Sequence, residues 1–196
     1  GGMAMFGLRR RDFILSGLGT VCALPLGAQS SAKTILVMGD SLSAEYGLAR
    51  GTGWVALLAT RLAQAKSPYT VVNASISGDT TSGGRSRLAA LLKQHQPALV
   101  VIELGGNDAL RGLPLDMTAD NLNAMTQAAR AAGAHVLLLG MQMPPNYGAD
   151  YGKRFAELYA KVAAAHKAAL VPFFLKGIAD DTDPLRWFQA DRIHPL

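Results

Sequence analysis

Cysteine is nearly absent from this sequence: Cys22 is the single one among 196 residues. No internal disulfide can form, and without CxxC or histidine-rich spacing the ligand sets of a zinc site are missing as well. Charge of either sign is scarce, at 17% of residues. The formal net charge is +5, but Arg9, Arg10, Arg11 and Asp12 concentrate +2 of it within residues 1–28. The remaining +3 is dispersed, and no basic run with interleaved aromatics follows residue 28, which excludes a nucleic-acid footprint. Long apolar runs are lacking too. The N-terminal one stops short of the ~20 residues a membrane helix needs, so no stable membrane span is expected. What the chain does have is 49% hydrophobic residues and the length of one domain with a real core.

The first 28 residues read as an address rather than as fold. Gly1-Gly2 ahead of Met3 reads as an added remnant. Arg9-Arg10-Arg11-Asp12-Phe13-Ile14-Leu15 then leads into a Gly/Ala-rich apolar run ending at Leu26-Gly27-Ala28. A basic region, a short apolar region and small residues make a secretory signal. Arg10-Arg11-Asp12-Phe13-Ile14 has the form of a twin-arginine export motif. Residues preceding Cys22 fit a lipoprotein signal poorly. The expectation is an exported, periplasmic or secreted protein, with one domain over residues 29–196.

Within that domain apolar runs alternate with helical periodicity. Strands are expected at Thr34–Met38, Thr70–Ala74, Leu99–Leu104, Val136–Leu139 and Leu170–Phe174, the last with an edge-suited Pro172. Helices are expected through Trp54–Ala65, after Asp79 or Thr80, over Thr118–Ala132, and through Phe155, Leu158, Tyr159 and Val162. This alternation implies βαβ units and a parallel sheet.

In such a sheet the loops after successive strands share one edge, where ligands bind. Those loops hold Gly39-Asp40-Ser41-Leu42-Ser43, Ser77-Gly78-Asp79 and Gly105-Gly106-Asn107-Asp108. The tail adds Asp191-Arg192-Ile193-His194-Pro195. These residue types suffice for acyl transfer. Ser41 is the expected nucleophile, His194 its base, and Asp191 the carboxylate that orients the imidazole. The Ser41 and Gly78 N–H groups and the Asn107 amide are expected to stabilise the oxyanion. Asp180, Asp181 and Asp183 compete with Asp191 for the acid. Asp40, Asp79 and Asp108 read as loop ties or caps, and His166 as a core or boundary residue. His95 and His135 flank strands. Leu110, Leu113 and the Met141–Tyr147 loop, with Met143 and Tyr147, are apolar enough to line an acyl pocket. A Walker A reading of Gly78–Gly83 fails at Gly84-Arg85. Ser43 stands where a G-x-S-x-G elbow needs glycine.

GDSL, SGD, GGND and DxxHP, in that order between about residues 33 and 195, resemble the four sequence blocks of the SGNH (GDSL) hydrolase superfamily. Asn73–Thr80, Glu103–Asp108 and Pro145-Asn146-Tyr147-Gly148 are similar to strings in its thioesterase I/lysophospholipase-like arylesterases. The resemblance implies a three-layer α/β/α sandwich of flavodoxin-like type on a five-stranded parallel sheet. It implies esterase or thioesterase activity on a small-molecule or lipid acyl ester, with no metal or other cofactor. Ser41, Gly78, Asn107 and His194 would be its eponymous residues, with Asp191 as acid. The family usually continues past its His-Pro block into a further helix, whereas this sequence stops two residues after His194. The resemblance therefore leaves the anchoring of His194 open. Carbohydrate O-acetylesterase or acyltransferase activity on the same fold, and a noncatalytic acyl- or lipid-binding protein, are the alternatives.

Overall fold

The computed structural model describes residues 31–196; the export segment read over residues 1–28 lies outside them. Five strands form one parallel sheet: β1 (Lys33–Gly39), β2 (Tyr69–Asn73), β3 (Leu99–Glu103), β4 (His135–Leu139) and β5 (Ala169–Val171). Their spatial order is β2-β1-β3-β4-β5. The helices are α1 (Trp54–Gln64), α2 (Thr81–His95), α3 (Gly106–Leu110), α4 (Leu115–Ala131) and α5 (Ala149–His166).

Alternation along the strands divides the core into two layers, because successive side chains point to opposite faces. Leu36, Met38, Val100, Ile102, Val136 and Leu138 face one way. There they meet Leu88 and Leu92 of α2, Leu122 and Met125 of α4, and Phe155, Leu158, Tyr159 and Val162 of α5. Ile35, Val37, Val101 and Leu139 face the other way, against Val55 and Trp54 of α1 and Phe174. Both faces being covered explains why the central strands read as unbroken apolar runs.

Three local expectations change. The last strand ends at Val171, since Pro172 has no N–H to offer the ladder. The helix expected from Thr118 begins at Leu115, directly after Pro114. Pro114 suits a helix entry because its fixed φ matches the extended residue that precedes the first turn. The GGND loop folds into the five-residue α3, which is too short to show helical periodicity. Thr80 is the N-cap of α2, its side chain accepting from the Gly83 N–H at 3.3 Å.

Candidate active site

Ser41 follows β1 after one intervening residue, and its loop is rooted in the sheet. Gly39 lies opposite Glu103 in the β1–β3 register. A Cβ on Gly39 would stand 2.7 Å from Ser43 Oγ and 2.8 Å from Glu103 Oε2, so only glycine lets these groups converge. Glu103, 1% exposed, accepts from the Asp40 N–H at 3.2 Å and from the Ser43 hydroxyl at 2.8 Å. Ser43 in turn accepts from Trp54 Nε1 at 3.1 Å. Burial pushes the Glu103 carboxyl well above the ordinary carboxylic range, and the adjoining Asp40 carboxyl adds to that push. Burial raises the Asp40 carboxyl as well, against the opposing pull of the Leu42 N–H. Asp40 accepts from the Leu42 N–H at 3.0 Å and from the Asn107 amide at 3.1 Å.

The second and third loops are tied to the first through those acids. Asn107 Nδ2 donates both to Asp40 Oδ2 and, at 2.9 Å, to the Asp79 carbonyl. Asp108 accepts from the Thr81 N–H at 2.8 Å, from the Thr81 hydroxyl, and from the Thr118 hydroxyl at 2.9 Å. It thereby holds the start of α2 against α4. Asp79 pairs with Arg87 at 2.9 Å. All three acids thus act as loop ties, as their positions lead one to expect. The Ser41 and Gly78 N–H groups donate to no protein acceptor among the described residues.

The tail delivers His194 to Ser41. His194 Nε2 lies 2.8 Å from Ser41 Oγ, and His194 Nδ1 lies 2.6 Å from Asp191 Oδ2. The other oxygen, Asp191 Oδ1, accepts from the Ile193 and His194 N–H groups at 2.9 and 3.0 Å. These backbone donors, chiefly that of His194, hold the Asp191 carboxyl down at about 2. With the Nδ1 proton directed at this carboxylate, Nε2 is left as acceptor for the Ser41 O–H. Such a chain can move a proton from the hydroxyl to the imidazole while a carboxylate stabilises the resulting cation.

Contacts beyond Asp191 also hold the imidazole. Its ring packs against Tyr46, centroids 4.3 Å apart and planes tilted by 38°. The His194 carbonyl accepts from the Gln189 N–H at 2.8 Å, and the Leu196 N–H donates to the Trp187 carbonyl at 2.8 Å. Gln189 Nε2 also donates to the Tyr46 carbonyl at 2.9 Å and the Pro195 carbonyl at 3.0 Å. That one amide fastens the histidine loop to the serine loop. A Cβ on Gly47 would fall 2.0 Å from Gln189 Oε1, and its φ of +72° suits glycine for the same turn.

Of the other acids, Asp181 is engaged with Arg186 and Trp187 and not with His194. His166 bonds Asn123 at 2.9 Å. Met143 packs on the main core, Leu110 and Tyr147 are exposed, and Leu113 is half-buried. Their region reaches the site through Arg111, whose Nη2 donates to the Gly78 carbonyl at 2.8 Å.

Glu103, Ser43, Trp54 and Gln189 are contributors that sequence reasoning missed. A lone acid inside the apolar run Leu99–Leu104 is a usable signal for Glu103, because a charge in a buried strand needs a reason. Nothing local marks Gln189.

Residues 37–196 match the GDSL-like lipase/acylhydrolase family. The chain is 54% identical to the esterase TesA of Pseudomonas aeruginosa over 185 residues, covering 94% of this chain and 90% of that protein. It is 45% identical to thioesterase 1/protease 1/lysophospholipase L1 of Escherichia coli over 166 residues, 85% of this chain and 77% of that one. The crystal structure of the psychrotrophic esterase EstA from Pseudoalteromonas sp., inhibited by monoethylphosphonate, superposes with a TM-score of 0.78 at 42% identity, covering 83% of this chain and 87% of that one. A parallel sheet ending in a serine, glycine, asparagine and histidine edge, together with these matches, gives the conclusion that the chain is an enzyme belonging to the GDSL-like lipase/acylhydrolase family.

Proposed function

We propose that this enzyme cleaves carboxylic esters and thioesters through an acyl-enzyme on Ser41. The hydrogen-bonded chain from Asp191 through His194 to Ser41 carries the reading. Ser41 Oγ attacks the acyl carbon as its proton passes to His194 Nε2. The tetrahedral oxyanion is met by the N–H groups of Ser41 and Gly78, and by an Asn107 N–H shared with the Asp79 carbonyl. Collapse breaks the bond to the leaving oxygen or sulfur, which takes the proton from His194. Water then attacks the acyl carbon, gives a proton to His194, and releases the acid as Ser41 recovers its own. The reaction so written balances without a metal or other cofactor.

The names of the relatives, an esterase and a thioesterase/lysophospholipase, support this range of substrates. We place the acyl group on the side of Leu110, Leu113, Met143 and Tyr147, next to the Gly78 loop. Residues 1–28 are proposed as an export segment that delivers the domain to the periplasm or beyond. None of the helices among the described residues is long and apolar enough to cross a membrane.

A panel of p-nitrophenyl esters from acetate to palmitate, with acyl-CoA and acetylated sugars alongside, tests the assignment. Turnover of simple esters and thioesters is the expected result. Turnover of acetylated sugars alone would replace it with a carbohydrate esterase.

A further inference from the structure

The loop that carries Gly78 runs from the end of β2 to the start of α2, and its base is held on several sides. The Ala74 and Ile76 N–H groups donate to the Val37 and Gly39 carbonyls at 2.9 and 3.0 Å. Arg87 of α2 closes the loop from behind, donating to the Ala74 carbonyl and, at 2.9 Å, to the Asp79 carboxylate. The tip is a turn. The Asp79 N–H returns to the Ile76 carbonyl at 3.1 Å, and Gly78 takes the third position with a φ of +79°. A positive φ at that position is the geometry of a type II turn, which favours glycine there. The Gly78 N–H belongs to the central peptide of this turn. Neither that N–H nor the Ser77 carbonyl bonds to protein among the described residues. Glycine also accepts the negative φ of a type I turn, in which the central peptide is inverted and its N–H points the opposite way. The turn alone therefore does not fix the direction of the proposed oxyanion donor.

One side chain reaches the tip. Arg111 Nη2 donates to the Gly78 carbonyl at 2.8 Å and lies 3.7 Å from the place a Gly78 Cβ would take. The guanidinium thus covers one face of the Gly78 Cα while gripping its carbonyl. Arg111 is itself placed by the end of α3, where its N–H donates to the Asn107 carbonyl at 3.0 Å. Asn107 Nδ2 donates in turn to the Asp79 carbonyl at 2.9 Å. Gly78, Asp79, Asn107 and Arg111 so form a closed ring of hydrogen bonds that contains both the glycine and the asparagine donor. With Ile76 and Asp79 already held, a fixed Gly78 carbonyl opposes the rotation about the Gly78 N–Cα bond that inversion requires.

We infer that Arg111 is a positioning residue for the oxyanion donor: it holds the Gly78 turn in the form that aims its N–H at the substrate, a role that rests on the functions proposed for Ser41 and Gly78.

Hydrolysis of p-nitrophenyl butyrate, a neutral ester, provides the test. Arg111 is exposed, so Arg111→Ala spares the core. It should lower kcat about tenfold and leave KM alone, a part of the hundredfold or more that loss of an oxyanion donor costs. Arg111→Lys keeps a donor for the carbonyl and should recover most of the rate. Arg111→Met keeps the length without the donor and should not. A trifluoromethyl ketone, which adds to Ser41 as a tetrahedral oxyanion, should bind Arg111→Ala about tenfold more weakly than wild type. In an Asn107→Ala background, Arg111→Ala should again cost about tenfold, because it acts on the other donor. Unchanged kcat in Arg111→Ala, or ketone affinity equal to wild type, would overturn the role. A raised KM with kcat intact would make Arg111 a substrate-binding group instead. Loss of the tenfold factor in the Asn107→Ala background would overturn the action through Gly78. Undiminished hydrolysis by Ser41→Ala would remove the reading on which the role rests.

Discussion

Ser41 and His194 stand one hydrogen bond apart, yet the segments that carry them have different foundations. The serine loop grows out of the central strands. Its backbone is bonded to a buried Glu103, and Asp40 and Asn107 tie it to the two neighbouring loops. The histidine loop crosses no sheet. It is fastened by its own Asp191, by the contact of its ring with Tyr46 and by the Gln189 amide, all near solvent. Rooting the proposed nucleophile and oxyanion donors in the core would fix where charge develops, which is where preorganisation matters most. A base that must rotate slightly between accepting and returning a proton tolerates a lighter anchorage.

Removing the reacting groups should have the largest effect and should not distinguish the two regions. Ser41→Ala and His194→Ala should each lower kcat about a million-fold, measured with p-nitrophenyl butyrate. Next comes Asp191→Asn, which should cost about ten-thousand-fold in kcat through the wrong imidazole tautomer, with little change in KM. Because Asp191 titrates at about 2, its carboxylate stays charged at any pH where the enzyme is assayed.

The two foundations separate at the third step. Glu103→Leu leaves the Asp40 N–H and the Ser43 hydroxyl unpaired in the core, so it should destabilise the fold by about 3 kcal/mol in denaturant melts. Glu103→Gln should retain most of both stability and activity. A sign follows from burial: the folded Glu103 carboxyl titrates above its unfolded value. Its contribution is complete below the unfolded pKa and is lost as pH rises toward the folded one. Glu103→Gln should therefore gain stability relative to wild type between pH 4 and pH 8. A constant difference across that range would mean Glu103 ionises in place.

Gln189→Ala should show the opposite profile and the smallest effect. Its bonds are near the surface, so the melting midpoint should move little. The histidine loop should loosen enough to lower kcat about tenfold, the scale of a positioning loss. A large drop in stability with kcat intact would show that the tail supports the fold and not the base.

The same contrast governs what the sequence made legible. Strand alternation gave the sheet, its two faces and the edge on which Ser41, Gly78 and Asn107 gather. His194 and Asp191 could be paired by their spacing of three. Glu103 is masked by the apolar run around it, and only its lone charge in a buried strand marks it. Gln189 could not be found at all. Its role depends on Tyr46, 143 positions earlier in the chain, and no local pattern encodes that distance. The five residues of α3 are too few for helical periodicity to register, and the early stop of β5 turns on Pro172.

The central claim, that His194 and Asp191 activate Ser41, is tested most directly with a fluorophosphonate probe and mass spectrometry of the digested protein. One adduct per chain on Ser41 is predicted, forming far more slowly in Asp191→Asn and not at all in Ser41→Ala. A folded sample that takes no adduct, or takes it on another residue, would contradict the account.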